Sequence, residues 1–240
     1  VLNLGVEGMM LMGAVAAFGV TLVSGSPYLG IISGGLAGMA TAAVFALFTL
    51  VLATNQVATG LALTIFGTGL SGLIGAPLVG QAIEGLPEFH IAVLAQIPVL
   101  GAAFKLDIMA YGCILLVSLT AWFLTSTRAG LILRSVGVNH DSAHALGYPV
   151  LMLRSLAVLF GGFMAGLGGA YLPLVLTPHW AEGMTAGRGW IALALVVFAS
   201  WRPWRLVAGA ILFGGVTIMQ LAGQAKGWTI PPQFLSMLPY

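Results

Sequence analysis

The chain has 240 residues, of which 60% are hydrophobic and 6% charged, with eight Lys or Arg against six Asp or Glu. A soluble chain of this length carries roughly 60 charged side chains, so no polar skin can be built, and a mean hydropathy of +1.07 excludes a disordered chain as well. A net charge of +2 is too small for the dense basic stripe that nucleic acid requires, which leaves a polytopic membrane protein.

No charged residue lies between Glu7 and Glu84. That stretch is far too long for one crossing of a ~30 Å hydrocarbon core. Ser24-Gly25-Ser26-Pro27 and Thr54-Asn55-Gln56 are turn signals within it, giving spans over 5–23, 28–51 and 58–80. The segment 81–107 holds Glu84, Pro87, Glu88, His90, Pro98 and Lys105 and reads as an extramembrane loop, with an interfacial helix over 90–94. A fourth span covers 108–124. The loop 125–150 follows and is the most polar part of the chain, and a fifth span covers 151–176.

Pro178-His179-Trp180-Ala181-Glu182 breaks the apolar pattern. The run after it, over 187–201, is too short to cross the core. It reads as a half-membrane helix, allowed where protein covers the loose backbone ends. A last span covers 206–223. Together these make one all-α domain of about seven membrane segments. The start at Val1 and the stop after Leu238-Pro239 are those expected of an internal piece of a longer chain. Alternating the spans puts Arg128, Arg134, Arg154, Arg202 and Arg205 on one side, which the positive-inside rule makes cytoplasmic. Lys105, Arg188 and Lys226 then fall outside, as do the loops 81–107 and 177–188.

Small residues recur four apart at Gly30, Gly34 and Gly38, at Gly67, Ser71 and Gly75, and at Gly162, Gly166 and Ala170. Each set lines one helix face and predicts close helix crossings.

No nucleophile elbow, phosphate-cradling loop or pair of neighbouring carboxylates is present, and no Cys/His cluster has metal-ligand spacing. The single Cys113 forms no internal disulfide. The polar residues within apolar runs are the informative ones. Asn3 and Glu7, one helical turn apart at i and i+4, share a face. Either they line a polar pathway, or Glu7 caps a helix start near the interface, since an ionised Glu in hydrocarbon is expensive. Asn55, Gln56, Thr59 and Thr64 either line the same pathway or satisfy turn backbone. Gln220 and Gln224 are a third candidate pair.

The sharpest signal is 139–147. Asn139 suits an N-cap, Asp141 lies in the first turn, Gly147 suits a left-handed C-terminal position and Pro149 blocks continuation. A helix this short is unstable alone and needs a partner surface. It reads either as a coupling element to a motor or as a plain surface helix.

Several of these segments resemble one family. Residues 1–14, VLNLGVEGMMLMGA, resemble the "N-x-G-x-E-G-x-M-L-M-G-A" opening of bacterial ABC-importer permeases related to ribose and branched-chain amino-acid permeases. Thr127-Arg128-Ala129-Gly130-Leu131 with Arg134-Ser135-Val136-Gly137 resembles that family's "T-x-x-G-L-x-L-R-A-V-G". Ala145-Leu146-Gly147 resembles its "A-A-x-A-L-G" coupling stretch, although Gly137-Val138-Asn139-His140 stands where "G-E-N-P" is usual. Residues 183–194, GMTAGRGWIALA, resemble "G-M-T-A-G-R-G-F-I-A-L-A", and Leu238-Pro239-Tyr240 fits "M-L-P-Y". The chain is most similar to the smaller permease of simple-sugar and nucleoside systems.

The resemblance implies an ABC-importer permease fold in the bacterial inner membrane. It implies a second homologous permease, a cytoplasmic ATPase and an extracytoplasmic substrate-binding lipoprotein as partners. ATP and Mg²⁺ would be bound by the ATPase, with no cofactor or catalysis here. Gly137, Asn139, His140, Asp141, Ser142, His144, Ala145, Leu146 and Gly147 would meet that ATPase. Asn3, Glu7, Asn55, Gln56 and Thr64 are the candidates for the translocation path of a small solute. The rival reading is an ion-coupled secondary transporter, which needs intramembrane acids or histidines, and Glu7 alone qualifies.

Overall fold

A computed structural model describes residues 1–90 and 105–225. The 91–94 part of the expected interfacial helix, the side chain of Gln224 and the 238–240 tail lie outside them. The chain divides into two compact units, Val1–Ile191 and Ala192–Tyr240.

In the first unit, α1 (Val6–Ser24) ends at Gly25, whose φ of 68° is the left-handed conformation that only glycine adopts freely. Its N–H donates to the Thr21 carbonyl at 2.8 Å. Pro27 then opens α2 (Pro27–Ala46), in the first turn where its missing N–H costs nothing. α2 runs on as a π-helical turn over Leu47–Val51. Asn55 caps α3 (Gln56–Gly75) by accepting from the backbone N–H of Val57 and Ala58 at 3.0 and 3.1 Å. Both turn signals are realised.

The outer part of the 81–107 segment differs from a plain loop. β1 (Glu88–His90) pairs antiparallel with β2 (Lys105–Asp107), so His90 is in a strand rather than a helix. Asp107 closes this pair and caps α4 (Ile108–Ser126) through the Ala110 N–H at 2.9 Å, while its other oxygen accepts from the Tyr171 hydroxyl. The polar 125–150 stretch is also mostly helical. Thr127 caps α5 (Arg128–Val138), and Asn139 caps α6 (His140–Ala145). The amphipathic repeat of α5 was hidden by its charges. α7 (Val150–Tyr171) ends in a second π-helical turn, Leu172–Leu176, that contains Pro173.

Among the described residues, five helices are long and apolar enough to cross a membrane: Val6–Ser24, Pro27–Val51, Gln56–Leu78, Ile108–Ser126 and Val150–Leu176. The fold is therefore an all-α polytopic bundle.

Its centre is made by α1, α2 and α7, and glycine is the reason they meet. A Cβ on Gly38 would lie 2.6 Å from the Gly166 Cα, and one on Gly34 would lie 2.8 Å from the Ala170 Cβ. Gly13 of α1 lies against Gly166 as well, so three backbones converge there. On the other side of α1, a Cβ on Gly67 of α3 would lie 2.7 Å from the Gly8 Cα. Small-residue spacing thus marked real crossings. α1 is the enclosed helix, 61% buried over its apolar window, whereas α4 is 6% buried and presents its sides outward.

The second unit begins within α8 (Arg188–Phe198) and continues through α9 (Pro203–Ala225). Ser200 and Trp201, with φ of 52° and 60°, make the tight reversal between them, ahead of Pro203 in the first turn of α9.

Candidate functional site

The two halves of the site are the start of α1 and the segment after α7. Asn3 is not helical. It precedes α1, its Oδ1 accepts from the Gly5 N–H at 2.9 Å, and its Nδ2 reaches Met9 Sδ at 3.5 Å. The expectation that Asn3 and Glu7 share a helical face is therefore corrected, because Gly5 lets the chain turn before the helix begins. Residues 2–5 instead run beside the first turns of α3. The Leu2 N–H donates to Gln56 Oε1 at 2.9 Å, and Thr64 Oγ1 donates to the Leu4 carbonyl at 3.0 Å. Asn55 spends its oxygen on the α3 cap, and Thr59 shares a 2.9 Å hydroxyl contact with Thr54. Gln56 and Thr64 thus tie the first residues to α3, while Asn55 and Thr59 satisfy the turn before it.

Glu7 does something else. It lies in the first turn of α1, yet its carboxylate does not serve that helix. Oε1 accepts from the Thr185 hydroxyl and from the Gly187 N–H at 2.9 Å, and Oε2 accepts from the Gly189 N–H at 2.6 Å. Glu7 is 7% exposed and Thr185 0%. Gly187 and Gly189 flank the first residue of α8, where helical N–H groups lack intrahelical partners and the dipole favours negative charge. A buried acid thus caps a helix 180 residues downstream in the chain.

The approach is possible only for glycine. A Cβ on Gly189 would lie 2.7 Å from both the Glu7 Cα and its Oε2. Gly187 has a φ of 83°.

The depth of this clamp follows from α3. Gly8 abuts Leu63 and Thr64, with a Cβ there lying 2.6 Å from the Leu63 carbonyl oxygen. At 1.5 Å per residue, Leu63 lies roughly 10 Å from the Gln56 end of α3 and roughly 18 Å from its Gly75 end. The clamp therefore sits about a third of the way along α3, inside its apolar span. The chain reaches it from the Gly75 end. His179 pairs with Ala82 there, and the 2% exposed Trp180 packs its indole against Gly75. Glu182 lies one helical turn lower, its Oε1 3.1 Å from where a Gly72 Cβ would be. Residues 177–180 thus lie beside the 81–107 segment, as expected. The expectation that 177–188 is wholly an outer loop is corrected, since 181–187 dips into the span.

The coupling candidates form a separate cluster. α6 has six residues, with Asn139 accepting from the Asp141 and Ser142 N–H groups at 3.1 Å each, and Gly147 at φ 84° ends it. Of its residues only Ala143 is buried. His140, Asp141 and His144 line a cleft together with Gln56, Thr49 and Arg154. On the other side, Ser142, Ala143 and Leu146 line a shallow groove with Leu131, Arg134, Ser135, Val138 and Asn139 of the α5 corner. Val138 is 90% exposed and Leu146 77%. Gly137 and Ala145 are exposed beside it.

Residues 1–240 match the family model described as the permease component of the branched-chain amino acid transport system. The chain belongs to this permease family. It is 44% identical to a putative glucose ABC transporter permease protein of Haloferax volcanii, over 97% of this chain and 72% of that protein. It is 32% identical to a nucleoside ABC transporter permease protein of Lactococcus lactis subsp. cremoris and 30% identical to a guanosine ABC transporter permease protein of Bacillus subtilis. Each of those two alignments covers all of this chain and 80% of the relative. No solved structure matches the chain significantly.

The protein is thus a multi-pass ABC-transporter permease, a transport component rather than an enzyme. The residues of the Glu7 clamp that the sequence alone did not single out are Thr185, Gly187 and Gly189. Their signal is visible in the 183–194 motif, but nothing in one sequence pairs that motif with Glu7, since the two are joined only by the fold.

Proposed function

We propose that this permease is the membrane-spanning subunit of an ATP-driven importer for nucleosides or simple sugars, seated in the bacterial inner membrane. The substrate class rests on the solutes for which its relatives are named. A second homologous permease completes the pathway, and an extracytoplasmic binding lipoprotein delivers the solute. ATP and Mg²⁺ are held by a cytoplasmic ATPase, which grips α6 and the neighbouring α5 corner.

The observation that carries this reading is α6. It is short, capped at both ends, and exposed at every position but Ala143. Six residues cannot hold a helix in water without a partner surface. Leu131, Val138 and Leu146 offer that partner an apolar contact, with Arg134 at its rim. Closure of the ATPase on α6 would reach the bundle through the start of α7 and the cleft shared with Gln56. Asn3, Glu7, Asn55, Gln56 and Thr64 form the frame of the path in this reading, because Asn3, Glu7, Gln56 and Thr64 hold 1–7 and the start of α8 in place and Asn55 caps the helix beside them. That commitment also weighs against the ion-coupled rival, since the buried acid is occupied by three donors.

The test is capture. Ser142→Cys in the Cys113→Ser background, crosslinked in membranes that contain the whole transporter, is expected to trap an ATPase subunit. Trapping only lipid or another permease would overturn the assignment of α6.

A further inference from the structure

The Glu7 clamp uses up the N–H groups at the start of α8, but it leaves one charge unexplained. Arg188 stands between the two clamped glycines, so its Cα is held at the depth of Glu7. Its side chain is exposed and, among the described residues, has no ion-pair or hydrogen-bond partner. A cation at this depth does not face lipid. Nor can it reach water by extending along the span, because the nearer end of α3 is roughly 10 Å away and an arginine stem is shorter than that.

The backbone around it gives the same reading independently. Residues 181–187 are non-helical at membrane depth, and Glu182, Ala186 and Arg188 are exposed along them. Irregular backbone is tolerated there only when protein covers it or when it lines a water-filled cavity. The covered side faces α1 and α3, through Thr185, Trp180 and the clamp. The exposed side carries one acid and one base, spaced along the depth of the span.

We infer that Arg188 lines the solute path inside the span and contacts the passing solute, with Glu182 nearer the mouth. This deepens the importer reading above and rests on it. The ligand class is a neutral, polyhydroxylated ring. The guanidinium presents five N–H donors and no acceptor, which suits hydroxyl and ring-oxygen lone pairs. The carboxylate above it accepts from hydroxyl groups. The acid and the base along this path cancel in net charge, so the lining has no excess of either sign to favour an ionic solute. Glu7 is a positioning residue here: it sets where Arg188 stands without touching the solute.

The experiment uses the whole transporter, reconstituted with its ATPase and binding protein, and a charged, water-soluble thiol reagent. Cys113 is the single native cysteine and is replaced by serine. Arg188→Cys is expected to react at least tenfold faster than Ile65→Cys, which lies at a similar depth on an outward face of α3 and is 75% exposed. Guanosine or glucose, whichever the transporter carries, is expected to slow the Arg188→Cys reaction several-fold during turnover. In the native background, Arg188→Ala is expected to lower uptake about tenfold, with Arg188→Lys recovering part of it. If Arg188→Cys is as inert as Ile65→Cys, or is not protected by the transported solute, Arg188 is not on the path. Uptake of neither probe by the unmodified complex with ATP would overturn the importer reading itself. Uptake with an unreactive Arg188→Cys would overturn only this inference.

Discussion

Two contacts made by α1 show two ways of holding a helix inside an apolar bundle. Toward α2 and α7 it uses absence. Gly13, Gly34, Gly38 and Gly166 leave no side chain between the backbones, and dispersion over the close surface does the rest. Toward the 181–189 segment it uses a charge, the Glu7 carboxylate on Thr185, Gly187 and Gly189. The first contact is not directional and extends over a whole face. The second is a few hydrogen bonds on a non-helical segment, and moving one residue would release it. In these terms α1, α2 and α7 are a closely packed platform, and the start of α8 is held to it by one carboxylate.

The two kinds of contact should fail differently. The largest effect is expected from Gly166→Leu, which forces side-chain atoms into the α2 backbone at Gly34 and Gly38. Native membranes should contain little assembled permease, as measured by detergent-stable complex, because overpacking of this size has no flexible neighbour to displace. Survival of normal assembly would show that the platform is not closely packed. Next is Glu7→Gln. The amide keeps one acceptor but turns an N–H group toward backbone donors. Each lost bond to the charged group is worth about 1.5–3 kcal/mol. Uptake should fall about tenfold while assembly holds; equal losses of both would make the clamp part of the platform.

Smaller effects sharpen the same contrast elsewhere. Asn139→Ala removes the α6 cap, worth about 1 kcal/mol, and should weaken ATPase capture several-fold without changing permease stability in the membrane. A drop in permease stability would mean that α6 belongs to the bundle. The smallest expected effect is from Thr64→Val, which removes one neutral hydrogen bond to the Leu4 carbonyl, worth about 1 kcal/mol. Thermal stability should fall slightly with uptake nearly intact, and a large loss of uptake would move Thr64 from the frame of the path onto its surface.

Much of the fold was legible because the membrane imposes length and composition on each span. The turn at Gly25-Ser26-Pro27, the turn at Thr54-Asn55-Gln56 and the Asn139–Gly147 bounds of the short helix are local chemistry, and local chemistry reads directly from sequence. The glycine triplets read correctly too, because spacing alone marks a face. What could not be read was pairing across distance. Nothing near Glu7 in the chain announces Thr185. Asn3 looked helical because its spacing to Glu7 is helical, while Gly5 between them ends that logic. The β1–β2 pair is three residues a side, too short to leave an alternating pattern. α5 was missed because Arg128 and Arg134 made an amphipathic helix look like a loop.

The central claim, that a nucleotide-driven neighbour moves this bundle, is tested most directly by energising one reconstituted transporter in two ways. Proteoliposomes holding the complete complex and its binding protein receive ATP with all ion gradients collapsed, or an ion gradient with no ATP. The account predicts solute accumulation in the first case and none in the second. Accumulation driven by the gradient alone would contradict it.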